Sequence, residues 1–245
     1  MPAQADVLAI FGPTGVGKTD VALELADILR DQGEDPVAIG ADALQVYEGL
    51  GVLTGAATVE EQARLEHRLV GTVPVGQKFD LGQYMALAHA EIDAALAAGR
   101  RPIVVGGTGL YMRGALADLS LTQQEESELW SADTRHPTLL VGLNMDRQRL
   151  YERIDRRVEA IVAGDAEAEV RAAAGASKTA RKALGFEELL AGDVEGLKKR
   201  SRNYARRQLT WMRKMAGLVE IDVTDVAPPE TARRVAILRD AAEAP

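Results

Sequence analysis

The sequence contains no cysteine in 245 residues, which excludes disulfides, thiolate-bound zinc and thiol chemistry. No apolar run approaches the ~18 residues that a membrane span needs. The first residues lack the basic flank and cleavage pattern of a secretory signal. A cytoplasmic location with no membrane attachment is therefore expected. His67, His89 and His136 make no metal-spaced cluster and are read as structural. What is present is an ordinary hydrophobic share, 47%, enough to bury the core of one large domain. The Ala-rich stretches 86–98 and 166–180 keep helical periodicity, so they read as helix formers and not as low complexity.

A formal net charge of −8 argues against a nucleic-acid partner for the chain as a whole. The charge is unevenly spread, however. Between Lys198 and Lys214 stand eight basic residues and no acidic one, and Lys178, Arg181 and Lys182 lie just upstream. Such a segment is either a solvated helix face or a local polyanion site, and charge alone leaves both open.

Hydrophobic patterning predicts strands at Val7–Phe11, Val37–Ala41, Ile103–Val105, Thr138–Leu143 and Val219–Val223. Helical periodicity falls between them, from Lys18 to a stop at Gly33, over Glu60–Leu69, over Leu81–Ala98, and through Leu150, Ile154, Val158 and Ile161. Pro228-Pro229 opens a last helix. Nearly all-apolar strands alternating with helices predict an α/β fold: a parallel sheet with helices on both faces. A single domain over 1–245 is expected, its one non-core piece the polar stretch 118–137.

Gly12-Pro13-Thr14-Gly15-Val16-Gly17-Lys18-Thr19 matches G-x-x-x-x-G-K-[ST], the ATP-binding or nucleotide-binding signature, between a predicted strand and a predicted helix. Glycines let successive backbone N–H groups turn inward toward phosphate oxygens, and the following helix adds its positive end. Lys18 is expected to reach the terminal phosphate and Thr19 to bind Mg²⁺. The motif specifies phosphate and not a reaction. P-loop ATPases usually end a later apolar strand on an aspartate, but here Ile103–Val105 runs into Gly106-Gly107-Thr108. The carboxylate that stands out is Asp42, which ends the second strand. In a doubly wound sheet the carboxyl ends of the strands form the ligand crevice, so Asp42 and Thr108 should converge near the phosphate loop. A capping role for Asp42 and a P-loop small-molecule kinase both stay open on these residues alone.

Six blocks occur in one order: the phosphate loop, Asp42-Ala43-Leu44-Gln45-Val46-Tyr47, His67-Arg68-Leu69-Val70, Gly106-Gly107-Thr108-Gly109-Leu110-Tyr111, Arg181-Lys182-Ala183-Leu184-Gly185-Phe186 and Arg206-Arg207-Gln208-Leu209-Thr210-Trp211-Met212-Arg213. Together they resemble the bacterial tRNA dimethylallyltransferase family over nearly the whole chain. The resemblance implies a P-loop NTPase-like sheet with a small helical insertion; a monomer is expected. It also implies transfer of a dimethylallyl group from dimethylallyl diphosphate to N6 of adenosine 37, in the anticodon loop of tRNA. By the same resemblance Asp42 accepts the N6 proton, Thr108 lies near the donor's bridging oxygen, and Ala43, Leu44 and Gln45 line the pocket for the flipped-out base. The phosphate loop and Arg181 would hold diphosphate, Arg202 and Arg206 would meet tRNA, and Mg²⁺ would sit on Thr19.

The sequence departs from the family pattern at Arg68, Gly71 and Ala56-Ala57, where the family usually has His, Asp and Lys-Pro. The long helical insertion of the family is reduced to about 118–137, without its arginine-rich end. A shortened clamp makes a free adenine nucleotide the competing acceptor.

Overall fold

The computed structural model describes residues 5–120 and 129–243. Its centre is a six-stranded sheet in the order β3-β2-β4-β1-β5-β6, with β1 Val7–Phe11, β2 Pro36–Gly40, β3 His67–Arg68, β4 Arg101–Gly106, β5 Thr138–Asn144 and β6 Val219–Asp222. Every pairing is parallel. The middle strands are apolar throughout because both of their faces are covered: all five residues of β1 and of β2 are buried.

Side chains alternate across the pleat and feed two cores. Leu8 and Ile10 point to one face, where Val21, Leu25 and Leu29 of helix α1 (Lys18–Asp31) pack with Ala232 and Val235 of the last helix, Pro228–Glu243. Val7, Ala9 and Phe11 point to the other, where they join Tyr84, Met112, Phe186 and Leu197. That second face carries α4 (Leu81–Ala97), α5 (Gly109–Leu116), α7 (Ala166–Ala172) and α8 (Phe186–Ala191). Helices α6 (Arg147–Ala163) and α9 (Val194–Met212) reach both cores, Leu150, Ile154 and Ala205 joining the first and Val158, Leu197 and Met212 the second. Local signals fix several starts. Asp80 and Gln83 form a capping box at α4, and Asp146 accepts from the Gln148 and Arg149 amides at α6.

One expectation is corrected. Glu60–Leu69 is not one helix: α3 covers only Val59–Arg64, after the four-residue α2 (Gly51–Thr54). Leu65 turns extended and fully buried, and His67 and Arg68 pair with Ala38 and Ile39 as β3. The open edge of β2 and a core position for Leu65 outweigh the helical propensity of this stretch.

Of the expected insertion at 118–137, residues 121–128 lie outside the described residues. Its far end is anchored by a buried arginine: Arg113 of α5 is 2% exposed and donates to the Leu129 and Asp133 carbonyls.

Candidate active site

The carboxyl ends of β1, β2 and β4 open on one cleft of about 490 Å³. Its first wall is the loop between β1 and α1. Gly15 and Gly17 have φ of 81° and 101°, left-handed values that disfavour a side chain. These turns curl the loop, and Thr14, Gly15, Gly17, Lys18 and Thr19 line the cleft. Gly12 and Pro13 are buried, and Val16 is a core residue beneath the loop. The Lys18 ammonium donates to the Gly12 and Pro13 carbonyls, at 3.0 Å each. Burial lowers its pKa to about 8; Asp42 opposes the shift and Arg157 adds to it. The lysine therefore rests on two neutral carbonyls, at a cost that an arriving anion would relieve.

The second wall starts at Asp42. Its carboxylate is half-buried and accepts from the Leu44 amide at 3.0 Å. Burial raises its pKa above the ordinary aspartate value, opposed by the Leu44 amide, Lys18, the Gln45 amide and Arg157. The next amide, Ala43 N–H, donates to the Thr108 hydroxyl at 3.3 Å, so Asp42 and Thr108 do come together. The closeness has a backbone cause. A Cβ at Gly106 would fall 2.1 Å from the Ala41 carbonyl oxygen, so the ends of β2 and β4 touch only because residue 106 has no side chain. Leu44 and Gln45 line the same cleft. The Gln45 amide donates to the Gly55 and Thr54 carbonyls at 3.0 and 3.3 Å, which fixes its direction.

Helix α6 supplies a third wall: Arg153, Arg156 and Arg157 line the cleft. Arg157 donates to the Thr54 carbonyl at 3.0 Å. Burial lowers its pKa, with Asp42 and Glu61 opposing. Arg153 comes within 3.3 Å of the Cβ position of Gly17. The fourth wall is α9, where Tyr204 faces Thr108 at 3.2 Å. Gln208, 3% exposed, accepts from the Thr14 amide and donates to the Gly107 carbonyl, both at 2.8 Å.

A cleft lined by four cations, Lys18, Arg153, Arg156 and Arg157, against three carboxylates, Asp20, Asp42 and Glu61, suits a phosphorylated substrate. A family model described as IPP transferase matches residues 45–134 and 119–215, and a second, isopentenyl transferase, matches 5–74. The chain belongs to the IPP transferase family. Its curated relatives include the tRNA dimethylallyltransferase of Exiguobacterium sibiricum, 31% identical over 84% of this chain and 86% of the relative. That of Rhodospirillum centenum is 33% identical over 87% and 90%. The full-length tRNA isopentenylpyrophosphate transferase of Bacillus halodurans superposes with a TM-score of 0.83 at 25% identity, covering 98% of both chains. A eukaryotic dimethylallyltransferase acting on tRNA superposes with a TM-score of 0.81 at 20% identity, covering 97% of this chain and 79% of that one. At that identity the likeness bears on the fold alone.

Not every position expected from the IPP transferase resemblance reaches the cleft. Arg181 does not line it: the guanidinium is bonded to the Glu187 carboxylate and the Ala174 carbonyl, both at 3.1 Å, and lies over the Phe186 ring. Arg202 is bonded to both oxygens of Asp155 at 2.7 Å, and Arg206 is exposed and bonded to Asn203. The residues to which sequence reasoning gave no role are Arg153, Arg156 and Arg157, together with Tyr204 and Gln208. The three arginines had a signal. They recur at i, i+3 and i+4 on a helix that leaves β5, the strand beside the phosphate-loop strand. Trp211 packs inward, against Trp130 and over Gly109.

The basic segment divides in two. Lys198, Arg200 and Arg202 are paired with Glu159, Glu188 and Asp155. Lys199, Arg206, Arg207, Arg213 and Lys214 are exposed and have no acidic partner among the described residues.

Proposed function

We propose that this chain is a tRNA dimethylallyltransferase, which moves a dimethylallyl group from dimethylallyl diphosphate to N6 of adenosine 37 and releases diphosphate. The observation that carries the reading is Asp42 on the cleft wall opposite the phosphate loop, with the Thr108 hydroxyl bonded to the next amide, Ala43 N–H. The family membership and the named relatives supply the reaction class.

In this reading the diphosphate lies along the loop amides, and Lys18 leaves the Gly12 and Pro13 carbonyls for its oxygens. Arg153 and Arg157 meet the charge that develops as the C1–O bond breaks. The adenine N6 lone pair forms the new C1–N bond, and the proton that N6 must lose passes to Asp42. Adenine N6 is a weak nucleophile because its lone pair is delocalised, so a carboxylate placed to accept that proton is the chemistry the step needs. Burial, which raises the Asp42 pKa, strengthens it as a base. Thr108 donates to the bridging oxygen of the leaving diphosphate, and Ala43, Leu44 and Gln45 bound the extruded base.

Mg²⁺ fits the donor set: the Thr19 hydroxyl lines the cleft, and this cation takes hard oxygens, keeping waters and substrate phosphates with few protein ligands. When bound there on Thr19 it would neutralise part of the diphosphate charge.

The five unpaired cations of α9 and the turn after it favour tRNA over a free adenine nucleotide, because a small acceptor needs no track for a phosphate backbone. No helix among the described residues is long and apolar enough to cross a membrane, and the cytoplasm is the proposed location. Labelled dimethylallyl diphosphate, incubated separately with unmodified tRNA, AMP, ADP and ATP, tests the reading. Label should enter tRNA. Label entering a nucleotide and not tRNA would make the chain a free-nucleotide transferase.

A further inference from the structure

Helix α2 is a single turn of four residues, yet Leu53, Thr54 and the following Gly55 form part of the cleft wall. So short a helix leaves most of its backbone groups without intrahelical partners, and both of its ends are gripped from outside. At the start, the Val52 amide donates to Glu169 Oε1 and the Leu53 amide to Glu169 Oε2, each at 2.9 Å. One carboxylate of α7 thus takes two amides, one on each oxygen, and stands 116 residues further along the chain than Leu53.

At the other end, the Thr54 carbonyl accepts from Arg157 at 3.0 Å and from Gln45 at 3.3 Å, and the Gly55 carbonyl accepts from Gln45 at 3.0 Å. A carbonyl oxygen has two lone pairs, and those of Thr54 are shared between a cation of α6 and the side-chain amide of the Asp42 segment. Gly55 makes the approach possible, because a Cβ there would overlap the Arg157 guanidinium. Gln45, Thr54, Gly55 and Arg157 line the cleft, and Glu169 does not. Long side chains such as these are only as well placed as the carbonyls that hold them. Leu53, 3% exposed, fixes the turn to the core. An apolar contact is non-directional, however, so it leaves the turn free to rotate. Two hydrogen bonds to one carboxylate remove that freedom.

We propose that Glu169 is a positioning residue for the transfer step: by gripping the start of α2 it aims the Thr54 and Gly55 carbonyls, and through them Arg157 and Gln45. It touches neither substrate. The inference rests on the reading in which Arg157 meets the charge of the departing diphosphate and Gln45 bounds the base. Since the two side chains meet at one oxygen, α2 also sets the distance between the donor-side cation and the acceptor pocket.

Glu169→Gln tests this with little change of shape, because it keeps one acceptor and sets NH₂ against the second amide. With tRNA as acceptor, kcat should fall about ten-fold, the scale of one charge-assisted hydrogen bond. Affinity for dimethylallyl diphosphate alone, by calorimetry, should stay within about two-fold, because the phosphate loop is untouched. Adding the change to Gln45→Ala or to Arg157→Ala should cost less than adding it to wild type, since part of what Glu169 aims is then missing. Losses that multiply fully in both backgrounds would overturn the proposal, as would wild-type kcat in Glu169→Gln beside an impaired Arg157→Ala. Equal falls in kcat and donor affinity would overturn it too, by making Glu169 a general support of the fold. Asp80→Ala, which uncaps α4 outside the cleft, should lower the melting temperature and leave kcat unchanged; a matching ten-fold fall in kcat there would reduce the Glu169 effect to stability and overturn the proposal. Wild-type kcat in both Gln45→Ala and Arg157→Ala would instead sink the roles read for those two side chains, and the role of Glu169 with them.

Discussion

The donor end of the cleft is built mainly from eight consecutive residues, whereas the acceptor side is assembled from segments around Asp42, Gly55, Thr108 and Tyr204, scattered over most of the chain. A contiguous loop carries its geometry in its own glycines, and α1 aligns its amides. The acceptor side has no such local instruction. Asp42 meets Thr108 only because β2 and β4 are neighbours, and Tyr204 reaches them only because α9 packs across the strand ends. The first kind of site takes its shape largely from one stretch of chain, with Gln208 and the α6 arginines added from outside it; the second depends on the register of the whole sheet.

The sharpest way to break this contrast is to remove the acceptor carboxylate alone. Asp42→Ala should lower kcat by ~10²–10⁴, the usual span for loss of a general base, while donor affinity stays near that of wild type. Rapid-quench turnover beside a donor-binding titration reads both, and parallel losses would mean that the two ends are not separable. Lys18→Ala is the opposite cut. It should weaken donor affinity by ~10–100-fold, the scale of a charge-assisted hydrogen bond, and lower turnover too. Unchanged donor affinity would place the diphosphate elsewhere.

The arginines allow a finer comparison. Arg153→Ala should weaken donor binding roughly ten-fold, again on the charge-assisted scale, and Arg181→Ala should leave it unchanged, since that guanidinium is committed to Glu187. The reverse result by calorimetry would return the diphosphate contact to Arg181.

A smaller effect lies outside the cleft. Replacing Arg206 and Arg207 by alanine should reduce the slope of log tRNA affinity against log salt by up to about 2, one for each phosphate that a guanidinium no longer neutralises. Arg202→Ala should scarcely change it, because Asp155 already neutralises that residue. Equal slopes in all three proteins would make the outer part of α9 an ordinary solvated face.

A further effect is on stability. The Lys18 pKa is about 8 in the folded protein against an ordinary lysine value of 10.5, so the unfolded chain binds more protons between those two values. The contribution of Lys18 therefore opposes folding below pH 8 and fades as pH rises toward 10.5. Lys18→Met should be more stable than wild type at pH 7, and the gap should close by about pH 10.5 in denaturant titrations. A gap constant with pH would mean that the ammonium is not penalised by burial.

The same contrast explains what the sequence made legible. Strands β1, β2, β4, β5 and β6, the phosphate loop and the approach of the Asp42 segment to Thr108 all follow from local pattern plus one rule about strand ends. Strand β3 does not, because its residues sit at the end of a helical pattern and become extended only through an edge offered by β2. The late basic segment, where charge density is highest, is where sequence reasoning looks for the tRNA-binding arginines. Density along the chain says nothing about neutralisation by residues distant in sequence, and Asp155, Glu159 and Glu188 remove three of those cations from consideration. Gln208 is legible only as part of a recurring block; its bonds join positions 194 and 101 residues away.

The missing side chain at Gly106 has a consequence of another kind. Rotamers can adjust to a ligand, but a carbonyl pressed against a bare α-carbon cannot. The jaws that hold Asp42 and Thr108 are therefore a rigid gauge, whose opening is set by main chain and not by the residues that do the chemistry. Side chains around the crevice can be exchanged to retune affinity, polarity or acceptor preference without altering its span. Gly106→Ala would do the converse: keep every functional group and spoil the measure between them.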